Sequence, residues 1–252
     1  MPVQRPAVPE AAAHQPRRVT SFRSRRSALT EAQQGVWDRL WPALGRQADS
    51  DEKLDTEAWF GRRGQPGGHS GRRGLILEIG CGTGTSTLAM AQAEPDLDVI
   101  AVEVYRRGLA QLLSAIERSS EDAHPVTNIR IIRGDGTDVL EHLLTPASLT
   151  GIRVFFPDPW PKARHHKRRL LQPATVAVMA ERLRPGGVLH AATDHADYAE
   201  QIAEVGDAEP LLRRAEPDEP LPISTARPTT KYETKAHRAG SAVTEFIWVR
   251  RP

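Results

Sequence analysis

The chain has a single cysteine among its 252 residues, and only 5% of its residues are aromatic. One cysteine, Cys81, excludes an internal disulfide bond and any metal site built from several cysteines. No apolar run approaches the roughly 18 residues that a membrane-spanning helix requires. The N-terminus also lacks the apolar stretch of a secretory signal. These absences predict a soluble cytoplasmic protein.

The formal net charge is only +2, so the charge total says nothing about nucleic acid. The distribution of charge says more, because residues 1–26 hold six arginines and a single acid, Glu10. Residues 1–29 contain few large apolar side chains, which predicts a basic, mostly disordered arm. A second basic run, Arg164–Arg169, lies deep inside the chain.

Three regions are expected along the chain. Residues 1–29 form the arm, and residues 30–73 hold an N-terminal helix followed by a Gly-rich linker. Thr30 is the expected N-cap of that helix, with Val36, Leu40 and Leu44 on one face, while the composition of residues 45–74 predicts a loop. Residues 74–252 form the main domain.

The main domain alternates short apolar runs with helical patterns. This alternation is typical of βαβ units in a doubly wound, mostly parallel sheet with helices on both faces. Residues 206–230 hold five prolines, which predicts a long loop, and Val243–Arg250 is expected to be an antiparallel strand at the sheet edge. The expected strands are Leu75–Ile79, Val99–Val104, Ile129–Ile132, Val154–Phe156 and Val188–Ala192, and the expected helices are Ser86–Ala93, Arg106–Glu117, Val139–Leu144 and Pro173–Leu183.

A glycine-rich turn, L-E-I-G-C-G-T-G, follows the first of these strands at residues 77–84. Gly80, Gly82 and Gly84 allow a sharp turn and a close approach of the backbone to a ligand. Glu103 closes the second strand, where an acid accepts hydrogen bonds from ribose hydroxyls. The spacing G-x-G-x-G lacks the final glycine of a dinucleotide site. Cys81 fits better as a small side chain in a tight loop than as a nucleophile, because no histidine lies nearby in sequence.

Glu78 lies two residues before the first of these glycines, and the combination resembles the first motif of class I S-adenosylmethionine methyltransferases. The third strand adds G-D-G at 134–136, where Asp135 resembles the family's adenine-side ligand. Turn glycines and strand-end acids alone are common, but three such elements occur in order on successive strands.

The fourth strand is followed by P-D-P-W-P-K, residues 157–162. Pro157 and Pro159 restrict the backbone on both sides of Asp158, which predicts a rigidly presented carboxylate. Trp160 offers a face for base stacking, and Lys162 adds a nearby charge. The alternative is a structural turn followed by a solvated helix start.

The basic run at 164–169 has a composition suited to phosphate contacts. Its two adjacent histidines point apart, which argues against a metal site. The members of the run are Arg164, His165, His166, Lys167, Arg168 and Arg169.

F-F-P-D-P-W-P-K-A-R-H-H-K-R-R-L-L-Q-P closely resembles the signature of the bacterial tRNA (guanine-N7)-methyltransferases, the TrmB family. Further segments fall in family order, namely V-E-V-Y at 102–105, L-R-P-G-G at 183–187, A-T-D-H-A-D-Y-A-E at 192–200 and R-P-T-T-K-Y-E at 227–233. The resemblance implies a Rossmann-like class I methyltransferase fold with a seven-stranded sheet. It also implies methyl transfer from S-adenosylmethionine to N7 of a guanine in the variable loop of tRNA, by a monomer or homodimer.

The resemblance assigns roles residue by residue. Asp158 is the implied catalytic acid at the guanine, and Arg164–Arg169 the implied tRNA contact. The implied cofactor ligands are Glu78, Gly80, Gly82, Gly84, Glu103 and Asp135. The implied substrate contacts are Lys162, Asp194, Thr230, Lys231, Tyr232 and Glu233.

The chain departs from the family pattern at several positions. Cys81 and Thr83 replace bulkier residues of the glycine turn, Pro161 stands where a histidine is common, and His195 where a tryptophan is common. These departures affect details of the base pocket. Two alternatives stay open: a class I methyltransferase acting on another RNA base or a protein amide, and an RNA-binding protein that keeps the fold without turnover.

Overall fold

The computed structural model describes residues 20–22, 28–49, 52–61, 74–122, 125–228 and 242–252. Its helices are α1 (Glu31–Leu44), α2 (Thr56–Trp59), α3 (Thr85–Ala93), α4 (Arg106–Ser119), α5 (Gly136–Asp138, continued by a π turn over Val139–Leu143), a 3-10 helix (Ala163–Arg168), α6 (Pro173–Arg182) and α7 (Ala196–Ala208). Its strands are β1 (Gly45–Gln47), β2 (Gly74–Ile79), β3 (Leu97–Glu103), β4 (Ile129–Arg133), β5 (Leu149–Phe155), β6 (Leu183–Thr193), β7 (Leu212–Arg214) and β8 (Thr244–Arg250).

The strands form one twisted layer in the order β1-β4-β3-β2-β5-β6-β8-β7. The pairs from β1 to β6 are parallel, while β8 pairs antiparallel with both β6 and β7. The order reverses between β2 and β5, as in a doubly wound sheet. The described sheet therefore confirms the expected mostly parallel architecture, with eight strands in place of seven.

Three local predictions are wrong. Residues 45–74 are not a continuous loop, because Gly45–Gln47 pairs with β4 and Thr56–Trp59 is helical. Residues 206–230 include the end of α7 and the strand β7. The last strand is antiparallel as expected, but β7 and not β8 occupies the described edge. Strands of three residues show no periodicity, so the sequence pattern does not predict them.

Side chains of the central strands alternate between two hydrophobic clusters, one on each face of the sheet. In β2, Leu77 and Ile79 pack with Met179 of α6 on one face. Ile76 packs with Leu109 of α4 on the opposite face. The period of two residues along each strand thus places helices on both faces.

Helix α1 begins at a capping box, in which the Thr30 hydroxyl accepts a hydrogen bond from the backbone N–H of Gln33 and the Gln33 side chain accepts one from Thr30. Its buried residues are Val36 and Trp37, which pack against the α4 side of the sheet. Leu40 and Leu44 are partly buried there. The segment before residue 74 is therefore packed on the main domain over α1 and β1.

Among the described residues, no helix has the length and apolar character needed to cross a membrane.

Candidate functional site

The carboxyl ends of five neighbouring parallel strands lie side by side and form one edge of the sheet, called the ligand edge here. Each of these ends carries a residue singled out in the sequence. Asp135 follows β4, Glu103 ends β3, the turn Gly80–Gly84 follows β2, Asp158 follows β5 and Asp194 follows β6. The registers align these ends, since Ile79 pairs with both Val102 and Val154. In open α/β sheets ligands bind at this edge, near the point where the strand order reverses.

The glycine turn is built as a ligand cradle. Gly80, Gly82 and Gly84 have φ angles of +79°, +58° and +75°, a region that favours glycine. A Cβ atom added at Gly80 or Gly82 would meet no atom within 4 Å, so open space lies above these two residues. Gly108 of α4 packs so closely below the turn that a Cβ there would lie 2.2 Å from the Gly82 carbonyl oxygen.

Glu103 holds the turn through its carboxylate. Its Oε2 accepts a hydrogen bond from the Gly82 backbone N–H at 3.0 Å, and its Oε1 accepts from Val104 and Tyr105 at 2.7 and 2.9 Å. Burial raises the pKa of Glu103, these three backbone donors lower it, and the nearby negative charge of Asp158 raises it. A carboxylate offers about four acceptor positions, so Glu103 retains capacity for a ligand hydroxyl.

Glu78 is only 3% exposed and lies near the end of β2, beside the turn. Its Oε2 atom has no hydrogen-bond partner among the described residues. Burial raises the pKa of Glu78, and the charge of Arg153 and the Thr87 hydroxyl lower it. A buried acceptor without a partner is costly, so this oxygen suits a ligand that donates hydrogen bonds to it.

Asp135 is partly buried and caps α5, where its Oδ1 accepts a hydrogen bond from the Thr137 backbone N–H at 3.0 Å. Together, Glu78, the open turn, Glu103 and Asp135 fit a nucleoside-type group that carries a donor amine and ribose hydroxyls. These residues lie on β2, β3 and β4 or directly after them, and they are called the donor-side residues below, after the methyl donor that the sequence predicts for them.

Asp158 lies on the loop after β5 between two residues with positive φ, Phe156 at +52° and Trp160 at +44°. Non-glycine residues rarely adopt this region, and such strain clusters at functional sites. Asp158 is half-buried, and no described residue forms a hydrogen bond or ion pair with its carboxylate. Its charge raises the pKa of both Glu103 and Tyr198. Because β5 lies between β2 and β6 in the sheet, the Asp158 loop follows the strand next to the one that carries the glycine turn, and its acceptor atoms are available to a ligand.

The prediction that Trp160 offers a face for base stacking is wrong for this conformation. The Trp160 residue is 5% exposed, and its Nε1–H donates to the Ser21 carbonyl at 2.8 Å. The Arg168 guanidinium lies 4.4 Å from the ring centroid, and the His165 ring meets Trp160 edge-on at 5.8 Å. An open groove of about 650 Å³ runs beside it, lined by Thr20, Phe22, Trp160, Pro161, Lys162, His165 and Arg168.

The basic run at 164–169 divides into exposed and packed members. Arg164 and Lys167 are exposed, whereas His165, His166 and Arg168 are half-buried. Arg169 is 2% exposed, and its guanidinium donates hydrogen bonds to the Pro159 carbonyl and the Gln201 amide oxygen. The RNA contact of Arg169 stays a prediction, and the burial of its guanidinium argues against it.

The remaining predicted substrate contacts are distributed over two elements and one segment outside the described residues. Lys162 is exposed at the start of the 3-10 helix. Asp194 is exposed between β6 and α7. The predicted residues Thr230, Lys231, Tyr232 and Glu233 lie outside the described residues.

The sequence did not reveal a buried ion pair between Arg153 of β5 and Glu94 beside α3. The Arg153 guanidinium and the Glu94 carboxylate are 2.5 Å apart, with side chains 1% and 7% exposed. The other Glu94 oxygen accepts from the Ser224 N–H at 2.6 Å, and Arg153 donates to the Ser224 carbonyl at 3.1 Å. Arg153 and Ser224 are 59 and 130 positions from Glu94 along the chain, so no local pattern indicates the pairing.

A second anchor, also missed, joins Arg227 to Glu245 of β8. Arg227 donates to Glu245 at 2.7 Å, and its guanidinium lies over the rings of Phe155 and Phe156, 5.6 and 5.0 Å from their centroids. His190 of β6 shares the same carboxylate at 2.8 Å. The His190 hydrogen bond, followed by Arg227, lowers the pKa of Glu245 to about 2. The two anchors tie residues 224–227 to β5 and to the start of the Asp158 loop.

The open space above the glycine turn predicts a specific effect of Gly82→Ala. A methyl group there would occupy ligand space, so the Kd for S-adenosylmethionine is expected to rise about tenfold or more, equivalent to about 1.4 kcal/mol. Calorimetric titration of the folded variant measures this. Gly186→Ala is the matched control, since Gly186 has a φ of +76° and equally open surroundings but lies within β6, outside the glycine turn. Equal affinities in the two variants would contradict a cradle at Gly82.

Several known proteins are similar to this chain. A family model described as "Putative methyltransferase" matches residues 72–246. The chain is 68% identical over 244 residues to a tRNA (guanine-N(7)-)-methyltransferase of Mycolicibacterium gilvum, which covers 95% of this chain and 89% of that protein. Enzymes of the same name from Mycobacterium avium and Mycobacterium leprae are each 62% identical, covering 92% of this chain and 87% and 96% of theirs. A solved structure of the 16S rRNA methyltransferase KamB is 18% identical, with a TM-score of 0.48 over 73% of this chain and 91% of that one.

Proposed function

Because the chain belongs to the family of the tRNA (guanine-N7)-methyltransferases, we propose that it transfers the methyl group of S-adenosylmethionine to N7 of a guanine in the variable loop of tRNA, in the cytoplasm. The observation that carries the proposal is the order of groups along one edge of the sheet. Donor-side residues occupy β4, β3 and β2, and the Asp158 loop follows on β5, the next strand.

The donor side holds the cofactor through four contributions. The positive-φ glycines let the backbone approach it, Glu103 and Asp135 accept hydrogen bonds from hydroxyl and adenine-side groups, and Glu78 accepts from the amine. S-adenosylmethionine supplies a methyl group that is already activated by the positive sulfonium. The protein therefore needs no residue that activates the donor chemically.

Guanine N7 carries an exposed lone pair and no proton, so no general base is needed to begin the displacement. The work of the acceptor side is positioning and electrostatic stabilisation. The Asp158 carboxylate accepts hydrogen bonds from the N–H edge of the guanine and stabilises the positive charge that develops on the methylated ring. Asp194, at the end of the adjacent strand β6, serves the same end of the pocket.

The tRNA contacts of the proposal come from exposed cations near this loop. Lys162, Arg164 and Lys167 are exposed there, and half-buried Arg168 lines the groove beside them. Phosphate contacts by such residues make binding weaker as salt increases. Thr230–Glu233 complete the substrate side in the proposal. The target base leaves its stack to reach Asp158, at a cost of a few kcal/mol, which the phosphate contacts offset.

The proposed function is tested by incubating the protein with unmodified tRNA and S-adenosylmethionine labelled in its methyl group. Digestion of the product to nucleosides is expected to yield label in 7-methylguanosine alone, at one position in the variable loop. A tRNA in which that guanine is replaced by adenine serves as the matched substrate control. Label in another nucleoside, or transfer to a protein and not to tRNA, would show that the acceptor is wrong while leaving the donor assignment intact.

A further inference from the structure

The buried guanidinium of Arg169 forms hydrogen bonds to the Asp158 loop, the 3-10 helix and α7. Arg169 directly follows the 3-10 helix, and its side chain is 1% exposed. A charged group this deeply buried requires partners for nearly all of its donors. The structure supplies them from three separate elements.

All three nitrogens of the Arg169 guanidinium form hydrogen bonds. Its Nε–H donates to the Pro159 carbonyl at 2.9 Å, and Nη1 donates to the Gln201 amide oxygen at 2.7 Å. Its Nη2 meets the Asp197 carboxylate and the His166 ring nitrogen, the latter at 3.1 Å. The guanidinium also lies 4.8 Å from the centroid of the Tyr198 ring. Lysine has no planar fork and could not reproduce this set.

The contact with Pro159 matters because Pro159 directly follows Asp158. On the other side of the loop, the Phe156 N–H donates to the Ala192 carbonyl at 2.8 Å. Phe156 and Trp160, which bracket the loop, both have positive φ angles. Strained backbone of this kind persists only where its surroundings hold it in place. The Arg169–Pro159 hydrogen bond is a side-chain tether on the C-terminal half of the loop.

The ion pair with Asp197 connects the same loop to the second predicted acid. Asp197 lies in the first turn of α7, three residues after Asp194. The Arg169 hydrogen bond is the main cause that lowers the pKa of Asp197, as expected for a carboxylate that meets a guanidinium. One guanidinium thus contacts Pro159, the residue after Asp158, and Asp197, in the helix that begins two residues after Asp194.

We propose that Arg169 is a positioning residue that sets the placement of Asp158 relative to Asp194, and that it makes no contact with tRNA. This inference rests on the proposed function for its kinetic consequence, but its structural part does not. Removing the fork is expected to move the Asp158 carboxylate. A displacement of about 1 Å in a positioning group can lower the rate by about 100-fold.

The kinetic test compares Arg169→Gln with Lys167→Gln, an exposed neighbour in the same basic run. For Arg169→Gln, kcat is expected to fall about 100-fold with little change in KM for tRNA. The slope of log Kd for tRNA against log salt is expected to equal that of the wild type, because no phosphate contact is lost. For Lys167→Gln, the slope is expected to fall by about one and KM to rise.

A slope reduced by about one in Arg169→Gln, together with a wild-type kcat, would overturn the proposal and return Arg169 to the RNA-contact set. Arg169→Lys keeps the charge and covers the case in which Arg169→Gln does not fold. It is expected to show the same loss of kcat, and wild-type turnover in this variant would equally refute the role of the planar fork.

Hydrogen exchange of residues 156–172 separates this proposal from the proposed function. Both Arg169 variants are expected to exchange faster in this segment than the wild type, with β2 and β3 unchanged. That result supports the tether even if the wild-type protein were found to methylate no tRNA guanine. Unchanged exchange in the segment would contradict the tether whatever the acceptor proves to be.

Discussion

Replacing Asp158 with alanine is expected to lower kcat for tRNA methylation by about 100- to 1,000-fold, the cost typical of losing one preorganised electrostatic group at a reacting centre. The carboxylate is half-buried, and no described residue occupies its acceptor atoms. Its removal therefore takes away the group that orients the guanine without disturbing a structural bond. Single-turnover kinetics at saturating tRNA and S-adenosylmethionine measure the change.

Cofactor affinity supplies the internal control for Asp158→Ala. The donor residues lie on β2, β3 and β4, so the Kd for S-adenosylmethionine is expected to stay within about twofold of the wild-type value. Asp158→Asn keeps the size and one acceptor oxygen but removes the charge. The loss of kcat in this variant, compared with the loss in Asp158→Ala, therefore measures how much of the effect is due to charge. Asp122→Ala, in the exposed turn after α4 and away from the ligand edge, is the matched control. Turnover of Asp158→Ala at the wild-type rate would rule out the assigned role.

Replacing Glu94 with alanine is expected to lower the free energy of unfolding by about 3–5 kcal/mol, because it leaves the buried Arg153 guanidinium without its counter-charge. The variant also removes the acceptor of the Ser224 backbone N–H. Urea denaturation followed by circular dichroism measures the loss. Ser224 precedes Arg227 and the predicted substrate residues 230–233 in the chain. Because the variant loosens the anchor at Ser224, KM for tRNA is expected to rise as well.

A surface ion pair of similar geometry provides the control for Glu94→Ala. Arg39 and Glu117 are 2.8 Å apart, but their side chains are 60% and 37% exposed. Glu117→Ala is therefore expected to cost less than about 1 kcal/mol, since solvent screens the pair. The double variant Glu94→Met/Arg153→Met, which removes both charges, is expected to recover most of the stability. Equal losses at the buried and the exposed pair would show that burial does not set the cost.

Local patterns in the sequence predict a large part of the candidate site. Asp158 is flanked by prolines, Glu103 ends an apolar run, and Glu78 is the last residue but one of another, so the chain itself places each at or near the end of a strand. Parallel strands meet at one edge, which brings such residues together without further information. The same reasoning fails at β1 and β7, because three residues are too few to show a period.

Residue type alone does not indicate that two members of the segment after β5 are buried. Trp160 has the chemistry of a stacking platform and Arg169 that of a phosphate ligand, yet both are buried. Their partners, Ser21 and Asp197, lie 139 and 28 positions away in the chain. The exposure of a side chain depends on which distant segments pack on it, and the composition of the local segment does not indicate those contacts.

The sequence by itself determined the fold class, the donor turn and the position of Asp158, because each depends on short-range patterning: alternation within strands, glycine where φ is positive, and proline around a fixed loop. Only the tertiary structure decided which charges face solvent and which hold the loop. Arg164 and Lys167 lie outward, whereas Arg169, Arg153 and Glu94 are enclosed. The reason is physical, since a charge is buried only where a partner from elsewhere in the chain compensates its lost hydration.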